Sequence, residues 1–144
     1  VIFLEKISFN SGYKTYCIND DENAVIRINT TDIHIIDRIT QAKKKLNEIM
    51  SEYSAINEND VTSDEAVKLM SEAEKKIREQ INYVFGSDVC SAAFGITSCL
   101  SPVGGQPLFM NFLDAVLPII EKDVLAERNA TSKNIQKYTS QLKK

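Results

Sequence analysis

The sequence predicts an α+β fold: an N-terminal antiparallel β-hairpin or small sheet, then a mainly helical domain built on a central antiparallel helix hairpin. Three observations predict it. Residues up to about 29 alternate or are rich in β-formers, apolar residues recur at helical spacing from Thr31, and a polar stretch after Ile56 divides that helical pattern in two. One α+β domain is expected over 1–128. Its β element covers 1–29, its helices fall near 31–56, 62–85, 87–94 and 107–128, and a polar tail occupies 129–144.

Within the β element, Val1, Phe3, Ile7 and Phe9 fall on one alternating face, interrupted by Glu5, and Ser11-Gly12 supplies a turn. Tyr13 to Ile18 and Ala24 to Ile28 are rich in β-formers, and polar Asn19-Asp20-Asp21-Glu22-Asn23 lies between them. A hairpin of roughly 13–19 with 24–29 follows.

From Thr31 the period changes. Ile35, Ile39, Ala42, Leu46, Ile49, Tyr53 and Ile56 draw one stripe along a long helix, with Asn29 or a following threonine as cap. The Lys43-Lys44-Lys45 run reads as solvated helix face, because acidic neighbours offset it. Asn57 to Val61 breaks the pattern, and Thr62 with Glu65 forms a capping-box signature. A second stripe follows: Ala66, Met70, Ala73, Ile77, Ile81 and Val84. Glu72 with Lys76 and Glu74 with Arg78 are favourable pairs one turn apart, and Gly86 suits the left-handed position that ends a helix.

The next section is richer in small residues. Phe85-Gly86 is answered by Phe94-Gly95, with a short helix expected between them, started by Ser87 and stopped by Gly95. Ile96 to Gly105 reads as loop, and Pro107 as the first residue of another helix. That last helix is apolar on nearly every side, so it needs burial in its own core or against a partner. Pro118 should kink or interrupt it, because proline has no N–H to give to the carbonyl of Asp114.

Composition narrows the function. With 43% hydrophobic and 26% charged residues in 144, this is the make-up of a folded globular domain, and a net charge of −3 offers no general attraction for nucleic acid or anionic membrane. No stretch approaches the roughly 18 apolar residues of a membrane span. Val1-Ile2-Phe3-Leu4 is followed at once by Glu5 and Lys6, too short a run for a signal-peptide core, so a cytoplasmic location is expected. Cys17, Cys90 and Cys99 lack ligand-like spacing and read as free thiols, and His34, the single histidine, reads as a partly buried or capping residue. Gly104-Gly105 before a helix lacks the lysine and hydroxyl of a phosphate loop. No catalytic residue, cofactor site or metal site stands out, and the expected activity is non-enzymatic.

What remains is apolar surface in 84–120. Phe109, Phe112, Leu113, Val116 and Ile120 form a stripe, and Phe85, Phe94 and Leu108 add to it. Two outcomes are open. Either the whole stretch packs into one core, or part of it buries against a second chain, a copy of this one or another protein. These eight residues are the protein-interface candidates.

The run Phe85-Gly86-Ser87-Asp88-Val89-Cys90-Ser91-Ala92-Ala93-Phe94-Gly95 carries a family resemblance, with Leu100-Ser101-Pro102-Val103-Gly104-Gly105-Gln106-Pro107-Leu108-Phe109, Phe112-Leu113 and Pro118-Ile119-Ile120. It resembles the tail assembly chaperones of phages and prophages of Gram-positive bacteria, over about 40 residues and otherwise in general layout. The resemblance implies a protein of the bacterial host cytoplasm that coats the tape-measure protein and recruits tail-tube subunits, in a family with short and frameshifted long forms. It implies no cofactor and no reaction. A structural tail or head-completion subunit retained in the virion is the alternative.

Overall fold

β1 (Tyr13–Ile18) and β2 (Asp21–Asn29) form the N-terminal hairpin, paired antiparallel from Tyr13 with Asn29 to Cys17 with Val25. The computed structural model describes residues 2–55 and 63–142. Asn19 and Asp20 make the turn with φ of 50° and 62°, a left-handed pair that asparagine and aspartate tolerate and that matches the twist of a hairpin. The turn is therefore tighter than the five-residue polar loop the sequence suggests, and β2 starts earlier. Ile18 pairs with Asp21 while Cys17 pairs with Val25, so the extra residues of β2 form a bulge.

The strand expected before Gly12 does not form, and residues 2–12 join no sheet. The local bonding gives the reason. Gly12 N–H donates to Asn10 Oδ1 at 3.1 Å, and Asn29 Nδ2 donates to the Ser11 carbonyl at 2.9 Å. The chain thus runs on past the end of β2 instead of folding back along β1. Gly12 is required there, because a Cβ would lie 2.9 Å from both Asn29 Oδ1 and Thr31 Oγ1.

α1 (His34–Ser54) and α2 (Asp64–Phe85) are the central antiparallel hairpin. Arg38 Nε donates to the Val84 carbonyl at 2.8 Å near one end, and Lys76 lies 3.9 Å from Glu52 nearer the other. The facing stripes are buried: Ile35, Ala42, Leu46 and Ile49 on α1, and Ala66, Ala73, Ile77, Ile81, Val84 and Phe85 on α2. Neither Asn29 nor a threonine caps α1. Asn29 Oδ1 accepts from Thr31, and Asp32 Oδ1 instead takes the His34 amide at 2.9 Å. Ser63 caps α2 by accepting from the Ala66 amide at 3.2 Å. Thr62 of the expected capping box and Ile56 of the first stripe lie outside the described residues. Of the two expected ion pairs on α2, Glu74 with Arg78 forms at 3.2 Å, while Lys76 turns to Glu52.

Gly86 ends α2 at φ 71°, and α3 (Val89–Phe94) follows, capped by Asp88 rather than Ser87. Asp88 accepts from the Ser91 amide and hydroxyl, which holds its carboxyl below the usual carboxylate range. Two short strands, β3 (Pro102–Val103) and β4 (Gln106–Pro107), then turn at Gly104-Gly105, whose φ values are 67° and 87°.

α4 (Leu108–Leu142) is one helix of 35 residues. Its first amides find partners in the preceding loop: Leu108 N–H donates to Ser101 at 2.9 Å and Phe109 N–H to Cys99 at 3.0 Å. Pro118 lies inside the helix without interrupting it, and the helix runs past the expected boundary at 128 through residues 129–142 of the polar tail. Beyond Pro118 the sequence contains no glycine or proline and many helix formers, so propensity carries the helix on after burial has stopped. Only the first half packs, with Phe109, Val116, Ile120 and Val124 buried.

Candidate functional site

The interface candidates do not share one exposed face. Phe85, Phe94, Phe109, Val116 and Ile120 are buried in the chain's own core, and Leu108, Phe112 and Leu113 pack half-buried against it. The packing has a simple geometry. Phe112 receives both Phe-Gly elements edge-on, with ring centroids 6.0 Å from Phe85 and 5.7 Å from Phe94. The glycine after each phenylalanine turns the chain away once the ring is seated.

Arg78 secures the same corner. It bonds Glu74 at 3.2 Å, donates to the carbonyls of Gly95 at 3.2 Å and Thr97 at 2.9 Å, and places its guanidinium 5.7 Å from the Phe94 ring. Glu74 Oε1 also accepts the Cys99 amide at 3.1 Å. The loop that launches α4 is therefore tied to α2 by charge-assisted bonds.

The hairpin is tied to α4 by Asp123. Buried Thr30 donates to Asp123 Oδ2 at 2.6 Å, and Lys14 Nζ lies 3.1 Å from the same oxygen. The Thr30 hydroxyl, then Lys14, hold the Asp123 carboxyl below its ordinary range despite partial burial. For Asp32 burial pulls upward, but the bonds from Arg38 and the His34 amide outweigh it and the carboxyl is lowered. Cys17, Cys90 and Cys99 are free thiols. Burial pushes Cys90 up to about 12 and Cys99 up to about 11. His34 is exposed rather than partly buried, and its backbone rather than its ring meets the Asp32 cap. Among the described residues no group of three or more His, Cys, Asp and Glu is disposed to hold a metal ion, and no helix is long and apolar enough to cross a membrane.

Two apolar clefts open on the surface. One, of about 270 Å³, lies between β1 and α4, with Tyr16 and Ile18 on one wall and Phe112, Ala115 and Ile119 on the other. The second, of about 390 Å³, is a groove between α1 and α4 lined by Ile36, Ile39, Leu117, Val124 and Leu125, with Lys43, Glu121 and Arg128 at its rim. Beyond it the free half of α4 exposes Leu125, Ile135, Tyr138 and Leu142, and at the other end of the chain Ile2, Phe3, Leu4, Ile7 and Phe9 are 78–89% exposed. Sequence reading missed these groups as surface. The spacing of Ile135, Tyr138 and Leu142, three and then four residues, is the helical signal that would have found the stripe on α4.

Comparison with protein-family models, with curated proteins and with solved structures finds no match for this chain.

Proposed function

We propose that the chain is a non-enzymatic protein-binding factor, a tail assembly chaperone of the phage group it resembles, which coats the tape-measure protein and recruits tail-tube subunits in the host cytoplasm. One observation carries the reading: the α1–α4 groove runs out onto a half-helix, 125–142, that is exposed among the described residues and keeps large apolar side chains in water. Most helical stability in proteins comes from packing of an amphipathic face, and an amphipathic helix of another protein laid in the groove would extend the buried face. Lys43, Glu121 and Arg128 put charges of both signs at the rim, where they favour register over raw affinity.

The test is co-expression of a tagged chain with a tape-measure fragment and, separately, with a tail-tube subunit. Capture of the fragment is expected, with at least tenfold loss for Leu125→Asp combined with Ile135→Asp, both exposed and both leaving the helical circular dichroism of 26–124 intact. A wild-type chain that captures neither protein at tens of micromolar overturns the reading. Recovery of the chain in stoichiometric amount from purified virions would replace it with the structural-subunit alternative.

A further inference from the structure

The cleft between β1 and α4 has an unusual wall. β1 pairs only with β2 in the described residues, so its outer edge carries no strand partner. Three consecutive residues of β1, Tyr16 to Ile18, line the apolar cleft beside Ile26 and Ile28 of β2, and α4 forms the opposite wall through Phe112, Ala115 and Ile119. An open strand edge beside an apolar trough is the geometry of strand addition: main-chain bonds are made to the edge, and alternate side chains drop into the trough.

The same chain carries a fitting strand. Residues 2–9 join no sheet, their large apolar side chains are exposed, and Ile7 with Phe9 forms an apolar pair at the two-residue spacing of one strand face. A cleft of about 270 Å³ has room for one such pair of large side chains. Glu5, next on that face, then lies at the cleft mouth in water.

The strand cannot serve its own cleft without loss. The bond from Asn29 Nδ2 to the Ser11 carbonyl and the close seat of Gly12 on Asn29 and Thr31 direct residues 10–12 past the end of β2. Folding back along β1 would require both to break. A second molecule has no such restraint. We infer that residues 2–9 of one copy add to the free edge of β1 in another copy, with Ile7 and Phe9 seated in its β1–α4 cleft. Phenylalanines bury roughly 150–250 Å² each, so the two seated Phe9 rings of a reciprocal pair supply about 300–500 Å² of the roughly 1,600 Å² of a standard interface. Reciprocal exchange closes a two-fold dimer, and one-way addition would build an open chain of copies.

The experiment compares the full chain with a variant lacking residues 2–9 by size-exclusion chromatography with light scattering, from 1 to about 100 µM. Self-association is expected for the full chain, and a monomer of unchanged circular dichroism for the shortened one. A fluorescent peptide of residues 2–11 is then titrated into the shortened chain. Binding is expected, and a loss of tenfold or more with Ile119→Glu, or with Ala115→Arg if the first variant fails to fold. A full chain that stays monomeric overturns the inference. So does an oligomer that survives loss of residues 2–9, or a peptide whose binding ignores both cleft variants. None of these changes touches the α1–α4 groove, so the outcome is independent of the tape-measure test.

Discussion

Phe109 and Phe9 are the same residue type in one chain, yet the first is 1% exposed and the second 78%. Phe109 sits in the first turn of α4, and its amide is held by the Cys99 carbonyl while its ring enters a core built from both helices of the hairpin. Phe9 lies in a segment with every β-forming credential and no strand beside it. Side-chain chemistry is therefore not what separates core from surface here. The separation comes from which backbone groups already have partners, because a bonded turn or loop decides where the next side chain is delivered. Among the described residues between Ile26 and Val124 such restraints close on one another; at residues 2–9 and 125–142 they do not.

The largest expected effect breaks the closed region. Phe109→Ala should cost about 3–5 kcal/mol, as large-to-small changes of buried aromatics do, and should lower the urea midpoint accordingly. An unchanged midpoint would mean that Phe109 is not core. Next comes Arg78→Met, which removes the guanidinium donor from the Gly95 and Thr97 carbonyls and leaves Glu74 Oε1 with the Cys99 amide alone. A loss of about 1–3 kcal/mol is expected, with faster amide exchange confined to 95–101.

Alkali sharpens the comparison through the buried thiols. Cys90 and Cys99 ionise near 9 when unfolded but only at about 12 and about 11 when folded. The unfolded chain thus loses these protons first, so their contribution is whole below pH 9 and drains away as pH rises through the folded values. The slope is at most about 1.4 kcal/mol per pH unit for each thiol, and Cys90→Ala should flatten it. A stability curve level from pH 9 to 11 would contradict the burial. Asp123 works in the opposite sense: its lowered carboxyl stabilises above its unfolded value near 3.8 and loses that contribution as pH falls below it. Asp123→Asn should shallow the acid limb. Smallest of all, Ile135→Ser with Tyr138→Ser should change stability by less than about 0.5 kcal/mol while reducing affinity for a helical partner.

The helical hairpin was legible because its stripes repeat every three or four residues over five turns, more signal than local chemistry can blur. Gly86 was legible for the same reason that it is needed, since it ends α2 in a left-handed conformation. The N-terminal strand misled because alternation describes a strand's faces and not its neighbours. Asn29, read as a cap, instead clamps Ser11, and one side-chain amide thereby removes a strand. The far end of α4 was hidden by its polarity, which marks exposure but says nothing against helix. As for the site, large apolar residues suit a core and an interface equally. Only the edge-on stacking of Phe85 and Phe94 on Phe112 assigns them to the interior.

The distribution of the thiols has a practical side. Cys17 is exposed on the wall of the β1–α4 cleft, whereas Cys90 and Cys99 are enclosed. In the native fold a maleimide dye or nitroxide therefore goes to one position, with no cysteine needing to be removed first. The wild-type chain is thus already a single-label protein, and its reporter stands where an incoming strand would quench a fluorophore or broaden a spin-label spectrum.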